Sequence, residues 1–467
     1  MTEAIDADVH KKKGHPKGLY LLFFTEMWER FSYYGMRGIL VLYLTRSFLE
    51  GGLGFSDSTA SLIYGIFTGF VYFTPLIGGW LADRYLGQRH SITIGGITMM
   101  LGQLSLFFIN THVGVWIGLI LLIIGNGFFK PNISTLVGGL YQKGDPKRDS
   151  AFSIFYMGIN IGAFFAPIVV GYLSNSLFAT SNPETGDILT FGYKYGFLAA
   201  AIGMLFGQLL YNTLGNKYLG ELGMKPAGKP SLNNIEKEGA DVVSGNEALS
   251  KAEKQRVASI FIFFFIAIFF FAGFEQAGSS FTLFTDKHLD RNFFGLFTIP
   301  TEYFQSVNPI FIVLLTPIFA KLWVSKLGEK MTTPIKMGAG MILLGIGFFF
   351  ILTAAYQVGS DPNSPIKASM WWMVFTYFTH TLGELCLSPT GLSVVTKLAP
   401  AKLASLLMGV WLLSSCFANW VGGWIASVTS TMGVTDVYQI MAFGAISIGI
   451  IVLLLNKQIL KLMHGVK

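Results

Sequence analysis

Twelve runs of predominantly apolar residues, most of about 20 residues or more, divide the 467-residue chain. They fall at about 19–45, 57–83, 90–110, 113–140, 150–176, 192–216, 256–284, 300–325, 334–356, 369–398, 403–430 and 437–461. A helix of roughly 20 apolar residues spans the hydrocarbon core of a bilayer. Barrel strands need only about 10 residues, so these runs read as helices rather than strands. Only 13% of residues are charged, where a soluble domain carries about 25%. The fold class expected is an all-α integral membrane protein with twelve transmembrane helices.

The basic residues set an orientation. Lys11, Lys12, Lys13 and Lys17 precede the first run, and Lys457, Lys461 and Lys467 close the chain. Arg84, Arg89, Lys143, Lys147, Arg148, Lys326, Lys330, Lys397 and Lys402 mark even-numbered loops, while the odd loops are poorer in Lys and Arg. By the bias of Lys and Arg toward cytoplasmic loops, both termini are expected in the cytoplasm. The net charge of +7 is thus a topology signal rather than a nucleic-acid footprint. The polar N-terminal segment has no short apolar core with a small-residue cleavage site, so no cleaved signal peptide is expected. Cys386 and Cys416 lie inside apolar runs and read as buried thiols without a disulfide.

Residues 219–254 form the longest polar stretch, rich in Gly, Pro, Asn and charge, and read as a linker. The expected organisation is a cytoplasmic tail 1–18, a six-helix bundle 19–218, a cytoplasmic linker 219–254 and a second bundle 255–467. The halves echo one another: "TPLIGGWLADRYLGQR" (74–89) against "TPIFAKLWVSKLGEK" (316–330), "WER" (28–30) against "FEQ" (274–276), and "GNGFFKP" (125–131) against "GELCLSP" (383–389). Two repeated bundles with polar residues near mid-membrane form a transporter architecture.

The first run carries charge that lipid cannot accept. In "TEMWERFSYYGMR" (25–37), each charge at the bilayer centre costs roughly 2.5–3.5 kcal/mol on insertion scales. At about 100° per residue, Glu26, Glu29, Arg30, Tyr33 and Arg37 share a stripe about 100° wide, and Trp28 and Phe31 face away. The stripe must face the protein interior, as a static ion-pair network or as a solvated relay. Glu26 and Arg30 are one turn apart and can pair. Further deep groups are Lys130, Glu275 and Glu384, with Asn160 and Asn308 as neutral hydrogen-bonding groups. His380, one turn before Glu384, reads as a ring bonded to a backbone carbonyl, with a proton-relay role as the alternative. Glu26, Glu29, Glu275 and Glu384 outnumber Arg30, Arg37 and Lys130 by one. A buried carboxylate without a cation takes up a proton, which is what proton coupling requires. Cations concentrate in the first half and carboxylates in the second, an arrangement suited to a zwitterion.

At these residues a resemblance emerges. "ExxERFxYYG" (26–35), "FYxxINxG" (155–162), "GxGFFKP" around Lys130, "FEQxGSS" (274–280), "FQxxNPxFI" (304–312) and "GELCLSP" resemble the proton-dependent oligopeptide transporter family of the major facilitator superfamily, over nearly the whole chain. The resemblance implies symport of di- and tripeptides with protons by alternating access in the cell inner (plasma) membrane, driven by the proton gradient without a cofactor or metal. No catalytic residues and no nucleic-acid partner are expected, and the monomer is expected to function alone. It implies proton coupling at Glu26, Glu29, Arg30, Lys130 and Glu275. It implies peptide binding at Tyr33, Tyr34, Arg37, Tyr72, Lys130, Asn160, Phe271, Asn308, Glu384, Ser388 and Trp411. Arg37 with Glu275 would gate the outer side and Lys130 with Glu384 the inner side, while Asp83 and Arg84 would lock the cytoplasmic side. Members with fourteen spans insert two helices between the halves; the polar linker implies twelve here. Gly65 stands near the place where animal members carry a His on the second helix. Another solute, such as nitrate or an amino-acid derivative, is the alternative substrate. An intramembrane enzyme built on His380, Ser388 or Cys386 lacks any legible His–Asp arrangement.

Overall fold

The computed structural model describes residues 14–142, 145, 147–226, 249–359 and 365–465. The tail before residue 14, Lys143, the middle of the linker (227–248) and Lys467 lie outside the described residues. Twelve long helices run through the described residues: α1 Lys17–Thr45, α2 Asp57–Leu81, α3 Gln88–Phe108, α4 His112–Gly139, α5 Lys147–Tyr172, α6 Tyr193–Leu219, α7 Lys251–Phe274, α8 Val307–Val324, α9 Thr333–Val358, α10 Trp371–Leu398, α11 Ala404–Met432 and α12 Val434–Leu454. Ten are long and apolar enough to cross a membrane; the other two are α1 and α10. Those two carry the deep groups Glu26, Glu29, Arg30, Arg37 and Glu384, and charge removes a helix from a criterion of length and apolarity alone. The chain is a multi-pass membrane protein.

Two boundaries depart from the apolar runs. The run at 256–284 is broken by a tight 3₁₀ turn, Glu275–Gly278, before helix resumes over Ser280–His288. The run at 300–325 begins with a 3₁₀ turn, Thr301–Ser306, ahead of α8. Hydropathy is blind to such breaks, because the residues stay apolar while the backbone hydrogen-bond pattern changes. Pro131 and Pro389, by contrast, lie inside continuous helices.

The apolar side chains collect into two cores. One draws on residues between Leu19 and Leu219, joined by Leu283. The other draws on residues between Ile260 and Met463. Two six-helix halves, each with its own core, make this the major facilitator fold. Across the boundary α2 lies against α11, and α5 lies against α8 and the turn before it.

The halves are bonded at one end. Arg46 holds Asp286 at 2.5 Å, Lys287 holds Asp57 at 2.5 Å, and Ser58 meets Ser427 at 2.6 Å between hydroxyl oxygens. Ser306 donates to the Phe164 carbonyl at 2.7 Å. Short strand pairs, Thr180–Ser181 with Ile188–Thr190, Leu289–Asp290 with Ala368–Ser369, and Asn292–Phe293 with Phe297–Thr298, lie in the loops of this sealed end. At the opposite end, where α1 begins, no hydrogen bond or ion pair joins the halves among the described residues.

The α2–α11 crossing is a backbone contact. A Cβ on Gly423 would stand 2.6 Å from the Gly65 Cα, and one on Gly65 would stand 2.5 Å from the Gly423 Cα. Overpacking of this kind costs about 1–3 kcal/mol. Gly423→Ala is therefore expected to shift molecules out of the sealed form by about fivefold or more. Thiol labelling of a Ser61→Cys reporter, buried at the crossing one turn before Gly65, should accelerate accordingly. Unchanged labelling would show that the helices separate freely.

Candidate functional site

The α1 stripe turns inward as the helix geometry requires, and all four of its charged side chains are buried. Arg30 Nε lies 3.0 Å from Glu26 Oε1 and also donates to Glu29 Oε2. Asn126 of α4 donates to the other Glu29 oxygen at 3.4 Å. One guanidinium thus serves two carboxylates. Glu26 Oε2 and Arg30 Nη2 are buried without a hydrogen bond among the described residues. Lys130 lies within electrostatic reach of this cluster and sets its ammonium 4.4 Å from the centre of the Tyr72 ring. A cation over an aromatic face is attracted to the ring's negative quadrupole.

Two turns along α1, Arg37 crosses the boundary. Its guanidinium donates to Glu275 Oε2 and to the Tyr64 hydroxyl. Glu275 is the first residue of the 3₁₀ turn that follows α7. Glu384 has a different setting: Asn308 Nδ2 donates to its Oε2 at 3.1 Å and to Thr381 Oγ1 at 3.0 Å. Among the described residues Lys130 and Glu384 form no ion pair, with each other or with any other group.

Between these groups lies a cavity of about 190 Å³. From the first half Tyr34, Arg37, Tyr72 and Asn160 line it; from the second, Phe271, Glu275, Asn308 and Glu384 do. A small number of polar groups in an aromatic-rich wall is the usual composition of a small-molecule site. Asn160 also donates to Tyr156 O at 3.0 Å, which fixes its amide plane. His380 lines the cavity too, with Nε2 3.1 Å from the Leu344 carbonyl oxygen.

Other expected site residues lie outside this lining. Tyr33 is buried in the first core, because it points about 100° away from Tyr34 on the same helix. Lys130 is held back on Tyr72. Ser388 is exposed one turn beyond Glu384. Trp411 packs against Gly391 of α10, where a Cβ would come within 2.2 Å of the indole. Glu26, Glu29 and Arg30 lie deeper along α1. Asp83 and Arg84 occupy a π turn, Ala82–Leu86, at the open end. Gln88 donates to Asp83 at 3.3 Å and Arg84 lies 5.6 Å from the Trp80 ring, with no partner in the other half among the described residues.

The lining also holds Tyr156, Gln305, Tyr377 and Asn419, which sequence reasoning had not singled out. Three of these carry a spacing signal. Tyr156 is four residues before Asn160, Gln305 three before Asn308, and Tyr377 seven before Glu384, so each shares a helical face with a recognised group.

Comparisons with known proteins agree with this geometry. Residues 89–226 and 229–446 match the sequence profile of the POT family. The chain is 37% identical to the uncharacterized transporter YclF of Bacillus subtilis, over 97% of this chain and 96% of that one. It is 33% identical to a di-/tripeptide transporter of Lactococcus lactis, over 97% and 98%. A crystal structure of a peptide transporter POT in complex with sulfate superposes with a TM-score of 0.85 at 33% identity, covering 97% and 96%. A POT family transporter in complex with 5-aminolevulinic acid superposes with a TM-score of 0.84 at 30% identity, covering 96% and 97%. With two separate bundles, an inter-half cavity and a family match across most of its length, the chain belongs to the POT family of transporters.

Proposed function

We propose that this protein is a proton-coupled symporter that takes up di- and tripeptides by alternating access. The observation that carries this reading is the polarised cavity: Arg37 on one wall and Glu384 on the other, with Lys130 in reserve behind Tyr72. A peptide is a zwitterion, with its carboxylate suited to Arg37 and Lys130 and its ammonium to Glu384. Asn160 and Asn308 offer amides to its backbone. Tyr34, Tyr72 and Phe271 give side chains an aromatic wall. The functional unit is a monomer in the cell inner membrane, with all twelve long helices crossing and both termini in the cytoplasm. The sealed end then faces outward and the open end inward.

Coupling follows from competition for cations. Arg37 bonds Glu275 across the boundary, so a peptide carboxylate and Glu275 compete for one guanidinium. A proton on Glu275 removes that competition and loosens the outer gate. At the other end of α1, a proton shared between Glu26 and Glu29 changes how much positive charge Arg30 and Lys130 leave for the peptide. Closing Lys130 on Glu384 would gate the inner side, and Asp83 and Arg84 would find partners there as the open end closes.

A second reading concerns the solute. A relative holding 5-aminolevulinic acid has in its site an amine joined to a carboxylate without a peptide bond. Amino-acid derivatives share the charge pattern that Arg37 and Glu384 recognise, whereas nitrate offers nothing to Glu384. Competition between a dipeptide, 5-aminolevulinic acid and nitrate would rank the three; displacement by nitrate alone would overturn the zwitterion reading.

Proteoliposomes with an inward proton gradient are expected to concentrate a labelled dipeptide, and absence of pH-driven uptake refutes the symport. Glu384→Ala is expected to weaken dipeptide binding at least tenfold, or about 1.4 kcal/mol, by calorimetry; unchanged affinity removes the ammonium role. Glu29→Gln is expected to abolish concentrative uptake while leaving peptide exchange without a gradient. Normal accumulation by that variant would move coupling away from Glu29.

A further inference from the structure

The seal contains a carboxyl group that the peptide site does not use. Glu302 sits in the turn Thr301–Ser306 and is fully buried. It reaches the opposite half: a Cβ on Gly171 of α5 would touch the Glu302 Cβ at 3.5 Å, and Asn175 Nδ2 donates to Glu302 Oε2 at 3.1 Å. Asn175 is itself fixed, since the same nitrogen donates to the Gly171 carbonyl at 2.8 Å. Glu302 Oε1 is buried without a hydrogen bond among the described residues.

The nearby cations are committed elsewhere. Arg46 holds Asp286 at 2.5 Å and Glu50 at 3.6 Å, and lies 4.8 Å from the Phe191 ring. Arg291 donates to the Ile299 carbonyl at 3.0 Å and approaches Asp286 at 3.7 Å. Asp286 brings a like charge toward Glu302, and the remaining titratable neighbours are the phenols of Tyr193 and Tyr303, with Tyr172 beside Tyr303. Among the described residues the near donors are Asn175 and the backbone amide of Glu302 itself. Keeping an ionised carboxylate dry without a counterion costs several kcal/mol. The turn 301–306 must leave α5 when the sealed end opens, which wets the same carboxyl.

We propose that Glu302, clamped by Asn175, is a second proton-binding site, which takes a proton from the outer medium as the seal closes and returns it to the same side when the seal opens. This rests on the outward orientation of the sealed end given above. The proton is not cargo: it tunes the balance between the two forms by external pH. The sealed form binds one proton more than the opened form, so raising pH lowers the sealed-to-opened ratio, by at most about tenfold per pH unit.

The test uses the full chain without peptide, so that its failure is separate from failure of peptide transport. Spin labels are placed by Leu49→Cys and Leu296→Cys, which lie 89% and 76% exposed at the sealed end in opposite halves. The native Cys386 and Cys416 are buried. Pulsed EPR distances between pH 5 and 9 report the two forms. The expected result is a short-distance population that declines with pH in the parent. In Glu302→Gln, an isostere of the neutral acid, it stays high and changes at least threefold less over the same range. Asn175→Ala, which removes the donor to the ionised oxygen, is expected to move the transition to higher pH. A Glu302→Gln profile that moves as the parent does overturns the proposal, as does a parent population that ignores pH. Dipeptide accumulation by Glu302→Gln at acidic pH is expected within twofold of the parent; its loss would make Glu302 part of the transported-proton route and also overturn the proposal.

Discussion

Arg37 and Glu275 form the bond on which the arrangement turns. Each is carried by a helix that hydropathy places in an apolar environment, and neither charge is tolerable there alone. Their pairing makes α1 of one half and the end of α7 of the other face one another at the level of the cavity. The bond also stands where α7 ends: the helix runs to Phe274 and a 3₁₀ turn begins at Glu275 itself. The bond is strong because its surroundings are poor in water.

Around this bond the two halves differ in how they are held. Within each half contacts are apolar and extensive; between halves they combine ion pairs and hydrogen bonds with the Gly65–Gly423 approach and apolar contacts such as Phe70 on Trp420. Close-packed cores resist deformation, whereas a seam of hydrogen bonds and ion pairs can be exchanged for water at small net cost. The molecule can therefore move as two nearly rigid bodies. The ion pairs that join the two bodies here are few: Arg46 with Asp286, Lys287 with Asp57, and Arg37 with Glu275.

Much of this was legible in the sequence, because helix geometry is nearly fixed. The stripe on α1 required only a rotation of about 100° per residue, and burial of Glu26, Glu29, Arg30 and Arg37 followed. The pairing of Glu26 with Arg30 was readable for the same reason, as was the backbone partner of His380. What could not be read was distance across the fold. Nothing local in "FEQ" says that Glu275 meets Arg37, a pair expected only through the family resemblance, and nothing in "GFFKP" says that Lys130 rests on Tyr72. The fates of Tyr33 and Trp411 depend on which neighbour fills the adjoining space. The 3₁₀ turns at 275–278 and 301–306 leave hydropathy unchanged, so the apolar runs passed over them. Those two turns carry Glu275 and Glu302, two of the carboxylates placed against the opposite half.

The separation of the two cores has a consequence for synthesis. Apart from Leu283, every buried side chain of the first core comes from before residue 220. Domains generally fold as units, with the N-terminal one first as the chain emerges from the ribosome. The first bundle can thus settle in the bilayer while the second is still being translated. The arriving α7 then meets a finished surface on which Arg37 is already waiting without a counter-ion. Insertion of the second half is in this sense a docking reaction, with its electrostatic anchor made in advance by the first.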